Sequence, residues 1–192
     1  MIKAIIFDCF GVLVTEGLTA FKQQHFSHDE ALMRQVHDIS ARADAGLMSH
    51  EEAVRQTSAM AGITPEEFVK TVFTNQPNEP LFGYITSLKS RYKIGMLSNA
   101  SGNWLDEMFT PQQLELFDAI NLSFESGFVK PDIRAYQLAA DKLEVEPQEC
   151  VLVDDNERQC AGARDAGMQA VFYQDFEPAK AELEKILADP KG

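Results

Sequence analysis

At 192 residues the chain has room for one good hydrophobic core, or a core with a small lid. Its hydrophobic share of 45% and charged share of 24% are those of an ordinary globular protein. The net charge of −13 argues against nucleic acid or an anionic membrane as partner, and makes any phosphate-bearing substrate depend on local positive charge from a metal or a lysine.

Met1-Ile2-Lys3 runs directly into Ile5-Ile6-Phe7, which reads as a buried strand ending at Asp8. The apolar run is short and interrupted, so it is expected to be neither a signal peptide nor a membrane span. A carboxylate at the end of a buried strand is costly unless something uses it. Capping of the turn at Gly11 is the plainer alternative.

From Glu16 to about Gln76 the pattern is helical without strands. Ser27-His28-Asp29-Glu30 has the spacing of a capping box. Behind it Leu32, Met33, Val36, Ile39 and Ala43 mark one helical face, with Gly46 as the stop. Ser49-His50-Glu51-Glu52 opens a second helix that ends near Gly62. Thr64-Pro65-Glu66-Glu67 opens a third, with Phe68, Val69, Val72 and Phe73 expected inside. Phe21, Phe26 and Met33 are expected to supply this insert's core.

Gln76-Pro77-Asn78-Glu79-Pro80 is the clearest linker. Beyond it a helix over 81–88, a strand over 93–97, helices over 103–109 and 111–116, a weaker strand over 119–122 and a helix over 133–143 are predicted. A strand over 150–153, a helix over 157–166 closed by Gly167, a strand over 170–172 and a final helix over 179–187 complete the chain. This alternation predicts an α/β fold with a doubly wound parallel sheet, formed by residues 1–14 and 77–192, and a helical domain of residues 15–76 inserted after the first strand. Ligands of such sheets lie off the carboxyl ends of the strands, where strand order reverses. Asp8, Ser98 and Asp154-Asp155 all fall at such ends.

Together these residues outline a chemistry. An aspartate near two more acids and one lysine is a set of hard oxygen ligands for a divalent cation, although adjacent acids can also simply cap the helix at Glu157. Ser98 with the N–H of Asn99 offers a hydroxyl and a backbone donor to an anion. Lys130 precedes Pro131, whose ring stiffens the loop.

These stretches, in this order and over nearly the whole chain, resemble the haloacid dehalogenase superfamily of hydrolases, in the branch with a helical cap inserted after the first strand. The resemblance implies that Asp8 is a nucleophile passing through an aspartyl-phosphate, that Ser98 and Asn99 hold phosphoryl oxygens, and that Lys130 balances the charge. It also implies Mg²⁺ bound by Asp8, the backbone carbonyl of Phe10 and Asp155, with Asp154 acting through water.

One position departs from the pattern. Family phosphatases carry an acid–base aspartate two residues after the nucleophile, where this chain has Phe10. Phenylalanine transfers no proton, so leaving groups that depart unassisted, such as sugar 1-phosphates, are favoured. Asp154-Asp155-Asn156 resembles the metal motif of phosphatases, including a branch acting on glucose 1-phosphate that also lacks the second aspartate. Asp-Cys-Phe-Gly instead resembles the first motif of metal-independent 2-haloacid dehalogenases. That second reading conflicts with the acidic pair, which would repel a haloacid carboxylate. A third reading is a phospho-ligand or protein-binding module without turnover. A cytoplasmic enzyme acting on a small phosphorylated metabolite is the expectation, and the oligomeric state is not legible.

The three cysteines, Cys9, Cys150 and Cys160, lack CxxC spacing and fit reduced thiols, with Cys9 facing the core. His25, His28, His37 and His50 fit a helix surface better than a metal site. Trp104, close behind the Ser98 loop, is expected to pack and could also line a substrate entrance.

Overall fold

The computed structural model describes residues 1–15, 17–72 and 76–189. Five strands form one parallel sheet: β1 (Ala4–Phe7), β2 (Lys93–Ser98), β3 (Ala119–Leu122), β4 (Cys150–Asp154) and β5 (Gln169–Phe172), in the order β3-β2-β1-β4-β5. β1 is central, flanked by β2 and β4. The chain winds outward from it in one direction, then returns and winds outward in the other. Strand order therefore reverses beside β1, where the predicted nucleophile sits.

Both faces of β1 are buried, and alternation divides its side chains cleanly. Ile5 and Phe7 join one core with Val151, Val153, Ile94 and Met96. Ala4 and Ile6 join a second core with Cys150, Leu152 and Leu97. The first face is covered by α5 (Glu79–Leu88) and α11 (Phe176–Ala188), the second by α9 (Ile133–Lys142) and α10 (Glu157–Asp165). Near-continuous apolar runs in the strands follow from this two-sided burial. Among the described residues no helix is long and apolar enough to cross a membrane.

Between β1 and α5 lie α1 (Gly17–Phe26), α2 (Glu30–Asp44), α3 (His50–Ala61) and α4 (Pro65–Val72), which share their own core of Phe21, Phe26, Val36, Val54, Phe68 and Val72. Two caps match the sequence reading. Ser49 Oγ accepts from Glu52 N–H. Thr64 and Glu67 form a reciprocal capping box, each backbone N–H donating to the other's side chain.

The α2 cap differs from the reading. Asp29 is the N-cap, its carboxylate accepting from Ala31 and Leu32 N–H, so Ser27 lies outside the helix. A carboxylate also complements the helix dipole, which favours the later start. Further differences concern burial and extent. Val69, expected inside, is 38% exposed, and Phe73 lies outside the described residues. The predicted 103–109 helix contracts to α6 (Leu105–Met108), because Asn103 Oδ1 caps Leu105 N–H and Phe109 is extended. The helices α1 and α8 (Ser123–Ser126) have no separate signal in the sequence reading; α7 covers Pro111–Leu114.

Two chain segments cross between insert and core, and they hold each other. Thr15 N–H donates to Gln76 O, and Gln76 N–H donates to Thr15 Oγ1. Asn78 then anchors the return: its N–H donates to Leu13 O, and its side-chain amide donates to Val12 O and Tyr173 Oη.

Candidate active site

Asp8 leaves β1 one residue after Phe7, which is in register with Val153 of β4. Asp8 and Asp154 therefore emerge side by side at the same level of neighbouring strands. Asp8 N–H donates to Val153 O, continuing the ladder to the edge of the site. Cys9 turns into the core, as alternation predicts, and burial raises its thiol pKa well above the ordinary value, leaving it an inert packing group.

Lys130 sits between the two acids. Its ammonium, fully buried, donates to Asp8 Oδ1 at 2.8 Å and to Asp154 Oδ2 at 2.6 Å. Burial alone would lower the lysine pKa, but Asp8 and Asp154 outweigh it and hold the ammonium firmly charged. Asp154 spends its other oxygen on Asn156 N–H at 2.9 Å. Among the described residues no hydrogen bond reaches Asp8 Oδ2, so Lys130 orients one carboxylate oxygen and leaves the other unengaged.

The Lys130 loop is held by Asn99 across 31 positions. Asn99 Oδ1 accepts from Lys130 N–H at 2.8 Å, and its amide donates to Lys130 O at 3.0 Å. The Asn99 side chain is thus a positioning group, a role its sequence context does not signal. Ser123 in turn holds the Asn99 loop, accepting from Ala100 N–H at 2.9 Å. Ser98, at the carboxyl end of β2, is buried, and among the described residues its hydroxyl has no hydrogen-bond partner. A buried orphan hydroxyl is unfavourable in isolation and consistent with a site completed by an anion.

Burial pushes the Asp8 carboxyl up to about 7; Lys130 lowers it, while Asp154 and Asp155 add to the rise. Three acids thus face one lysine. One carboxylate oxygen from each of Asp8, Asp154 and Asp155 lies within 4.8 Å of the others, a hard-oxygen set that could hold a divalent cation. Gly11 makes the exposed Asp155 part of this cluster. Its φ of +85° suits glycine, and a Cβ there would stand 2.0 Å from Asp155 Oδ2.

Above the carboxylates a cavity of about 560 Å³ runs from Asp8, Asn99 and Asp155 into the helical insert. Phe10 and Trp104 form an aromatic wall, their ring centres 6.4 Å apart. Trp104 therefore lines the cavity as well as packing. His50, at the start of α3, lies 4.7 Å from the Trp104 ring, and its Nδ1 is 3.1 Å from Ser101 Oγ. It joins insert to core, and no local pattern in the sequence marks it. His25 stacks on Phe21 at 4.3 Å within the insert.

A sequence model of the haloacid dehalogenase-like hydrolases matches residues 2–167. The chain is 29% identical over 152 residues to Bifunctional epoxide hydrolase 2 of Rattus norvegicus, a match covering 71% of this chain and only 27% of that much longer relative. It is 24% identical over 204 residues to the D-ribitol-5-phosphate phosphatase of Bacteroides thetaiotaomicron, covering 97% of this chain and 99% of the relative. Among solved structures, a HAD family enzyme from Bacteroides thetaiotaomicron, in complex with magnesium and inorganic phosphate, superposes with a TM-score of 0.73 at 20% identity, covering 93% of this chain and 98% of the other.

Proposed function

The chain belongs to the haloacid dehalogenase-like hydrolases, and from that premise we propose that it hydrolyses a phosphomonoester of a small metabolite, with Asp8 as nucleophile and Mg²⁺ as cofactor. The observation that carries this reading is the buried Asp8–Lys130–Asp154 triad, of which Asp8 opens with Asp155 into one cavity.

Asp8 Oδ2 attacks phosphorus, the P–O bond to the organic group breaks, and an aspartyl-phosphate forms. Water then attacks that phosphorus, releasing inorganic phosphate and regenerating the Asp8 carboxylate. Lys130 orients Asp8 through Oδ1 and offsets charge as the phosphoryl group arrives. Ser98 Oγ, otherwise without a partner, and the Asn99 N–H bind phosphoryl oxygens.

The carboxylates of Asp8, Asp154 and Asp155 fit Mg²⁺ by donor type and mutual distance, with Asp155, the Phe10 carbonyl and Asp8 as ligands and Asp154 acting through water. When bound, the ion offsets repulsion between Asp8 and the phosphate and stabilises charge in the transition state. The helical insert acts as a cap that shields the phosphoryl group from bulk water. Phe10 supplies no proton to the departing oxygen, so the substrate is one whose leaving group departs readily, such as a sugar 1-phosphate.

The test is p-nitrophenyl phosphate hydrolysis with Mg²⁺ and with chelator. Turnover that requires Mg²⁺ and disappears in Asp8→Asn is the expected result; turnover retained by Asp8→Asn refutes the mechanism. Phe10, packed toward Trp104 in the cavity, favours one second reading, displacement of halide from a 2-haloacid. Chloride release from 2-chloropropionate in the presence of chelator would establish that reading.

A further inference from the structure

The outer face of the insert carries charge in a regular order. Along α2, Glu30, Arg34, Asp38 and Arg42 stand four positions apart, alternate in sign and are all exposed. At this spacing they form one ridge about 18 Å long, on the side of the helix opposite its buried residues Val36, Ile39 and Ala43. We propose that this ridge is the contact surface for a second copy of the chain, the two α2 helices packing antiparallel across a twofold axis.

The order of the signs carries the inference. A twofold axis placed between Arg34 and Asp38 sets Glu30 of one copy against Arg42 of the other, and Arg34 of one against Asp38 of the other. Each contact occurs twice, so every residue of the ridge faces an opposite charge. Parallel packing in register would set each residue against its own kind, and repulsion opposes it. Within one chain the ridge is only loosely paired. Arg34 lies 3.4 Å from Glu30 and Arg42 lies 3.9 Å from Asp38, all four side chains facing solvent. Exposed pairs of this kind contribute little, so the side chains can turn to a partner at small cost.

The surface beside the ridge suits the same partner. A cleft of about 590 Å³ between α2 and α3 is lined by Arg34, Asp38 and Arg42 on one wall and by Arg55, Ala59 and Met60 on the other. Ala59 and Met60 offer apolar area to the aliphatic stems of incoming arginines, within a charged rim.

Charge selects the occupant. The chain carries a net charge of −13, so two copies repel and contact costs least where charge is locally balanced. Two acids and two arginines leave the ridge neutral. A polyanion would meet Glu30 and Asp38, whereas a second copy complements all four residues. From α2 the cavity shared with Asp8 is lined by Ser40, Ala43 and Asp44, which lie off the ridge, so this dimer leaves the cavity open.

The test is sedimentation equilibrium at about 100 μM chain, a concentration that detects weak dimers. Native protein, Arg34→Glu, Asp38→Arg and an equimolar mixture of the two variants are compared. The native chain is expected at twice its 21.4 kDa mass. Each variant alone sets like charges against each other at two places, so its dimer dissociation constant should rise about tenfold or more. In the mixture the introduced glutamate faces the introduced arginine, and the unchanged Asp38 faces the unchanged Arg34, so dimers should return. A monomeric native protein overturns the proposal, as does a dimer that both variants retain undiminished. Loss of dimers in both variants without recovery on mixing also overturns it. Recovery separates a lost contact from a lost fold, since misfolded chains have no ridge to complement.

Discussion

Replacing Lys130 by Met removes the cation that bridges two buried carboxylates while nearly keeping the length of the side chain. Its ammonium donates at 2.8 Å to Asp8 and at 2.6 Å to Asp154, and the side chain is 0% exposed. Breaking a buried ion pair by deleting one partner typically costs about 3–5 kcal/mol, because the remaining charge has no solvent to replace it. Two carboxylates are stranded here, but Asp8 is already raised to about 7, so a proton can relieve part of the repulsion near neutrality. A loss of about 3 kcal/mol at pH 8 is therefore expected. With a urea slope of about 2 kcal/mol/M, the unfolding midpoint should fall by about 1.5 M. The measurement is urea unfolding in the presence of chelator, comparing native, Lys130→Met, Asp154→Asn and the double variant. In the Asp154→Asn background the Lys130→Met loss should shrink by at least about 1 kcal/mol, since one stranded charge is gone. A Lys130→Met loss below about 1 kcal/mol, or strict additivity of the two changes, would refute the electrostatic account of this triad.

Other outcomes follow from single contacts. Gly11→Ala forces a Cβ against Asp155 Oδ2 at a φ of +85°, so the Mg²⁺ concentration giving half-maximal p-nitrophenyl phosphate hydrolysis should rise at least tenfold; an unchanged Mg²⁺ titration would show that Asp155 is no ligand. Phe10→Asp should raise kcat/KM for alkyl phosphates about 10²-fold while changing aryl phosphates little. Equal effects on both would remove the leaving-group explanation of Phe10. Asp44 has a folded pKa of about 6 against an ordinary 3.8, so the folded state holds its proton more tightly than the unfolded state. Its ionisation costs nothing below about pH 4, destabilises progressively from there to about pH 6, and is fully unfavourable above that. Asp44→Asn should consequently raise stability by roughly 1 kcal/mol at pH 8, after allowance for solvent screening, and by nothing at pH 4. Unfolding curves at the two pH values check this, and a gain independent of pH would contradict it.

Lys130 and Asp44 thus represent two treatments of buried charge. One is neutralised within the protein by paired acids, and the other is left short of hydrogen bonds.

The parts of this protein legible in its sequence are those governed by local periodicity. Apolar runs ending at Asp8, Ser98 and Asp154 mark strands buried on both faces, and the direction of a parallel sheet brings all three ends to one edge. The caps at Ser49 and Thr64 were legible for the same reason, since donor and acceptor lie within three residues. At α2 the local rule misplaced the start, because Ser27 and Asp29 both suit an N-cap and the pattern alone does not rank them. Tertiary structure decided the rest. The pairing of Asn99 with the Lys130 backbone spans 31 residues, and the Lys130–Asp8 contact spans 122. Which insert side chains share a cavity with Asp8 was likewise invisible: Lys22, Asp44, His50 and Thr57 occupy ordinary helical positions until four helices pack on their own core and that unit meets the sheet edge. Backbone period determines which face of an element is buried, whereas the partner of each polar side chain depends on how the elements dock.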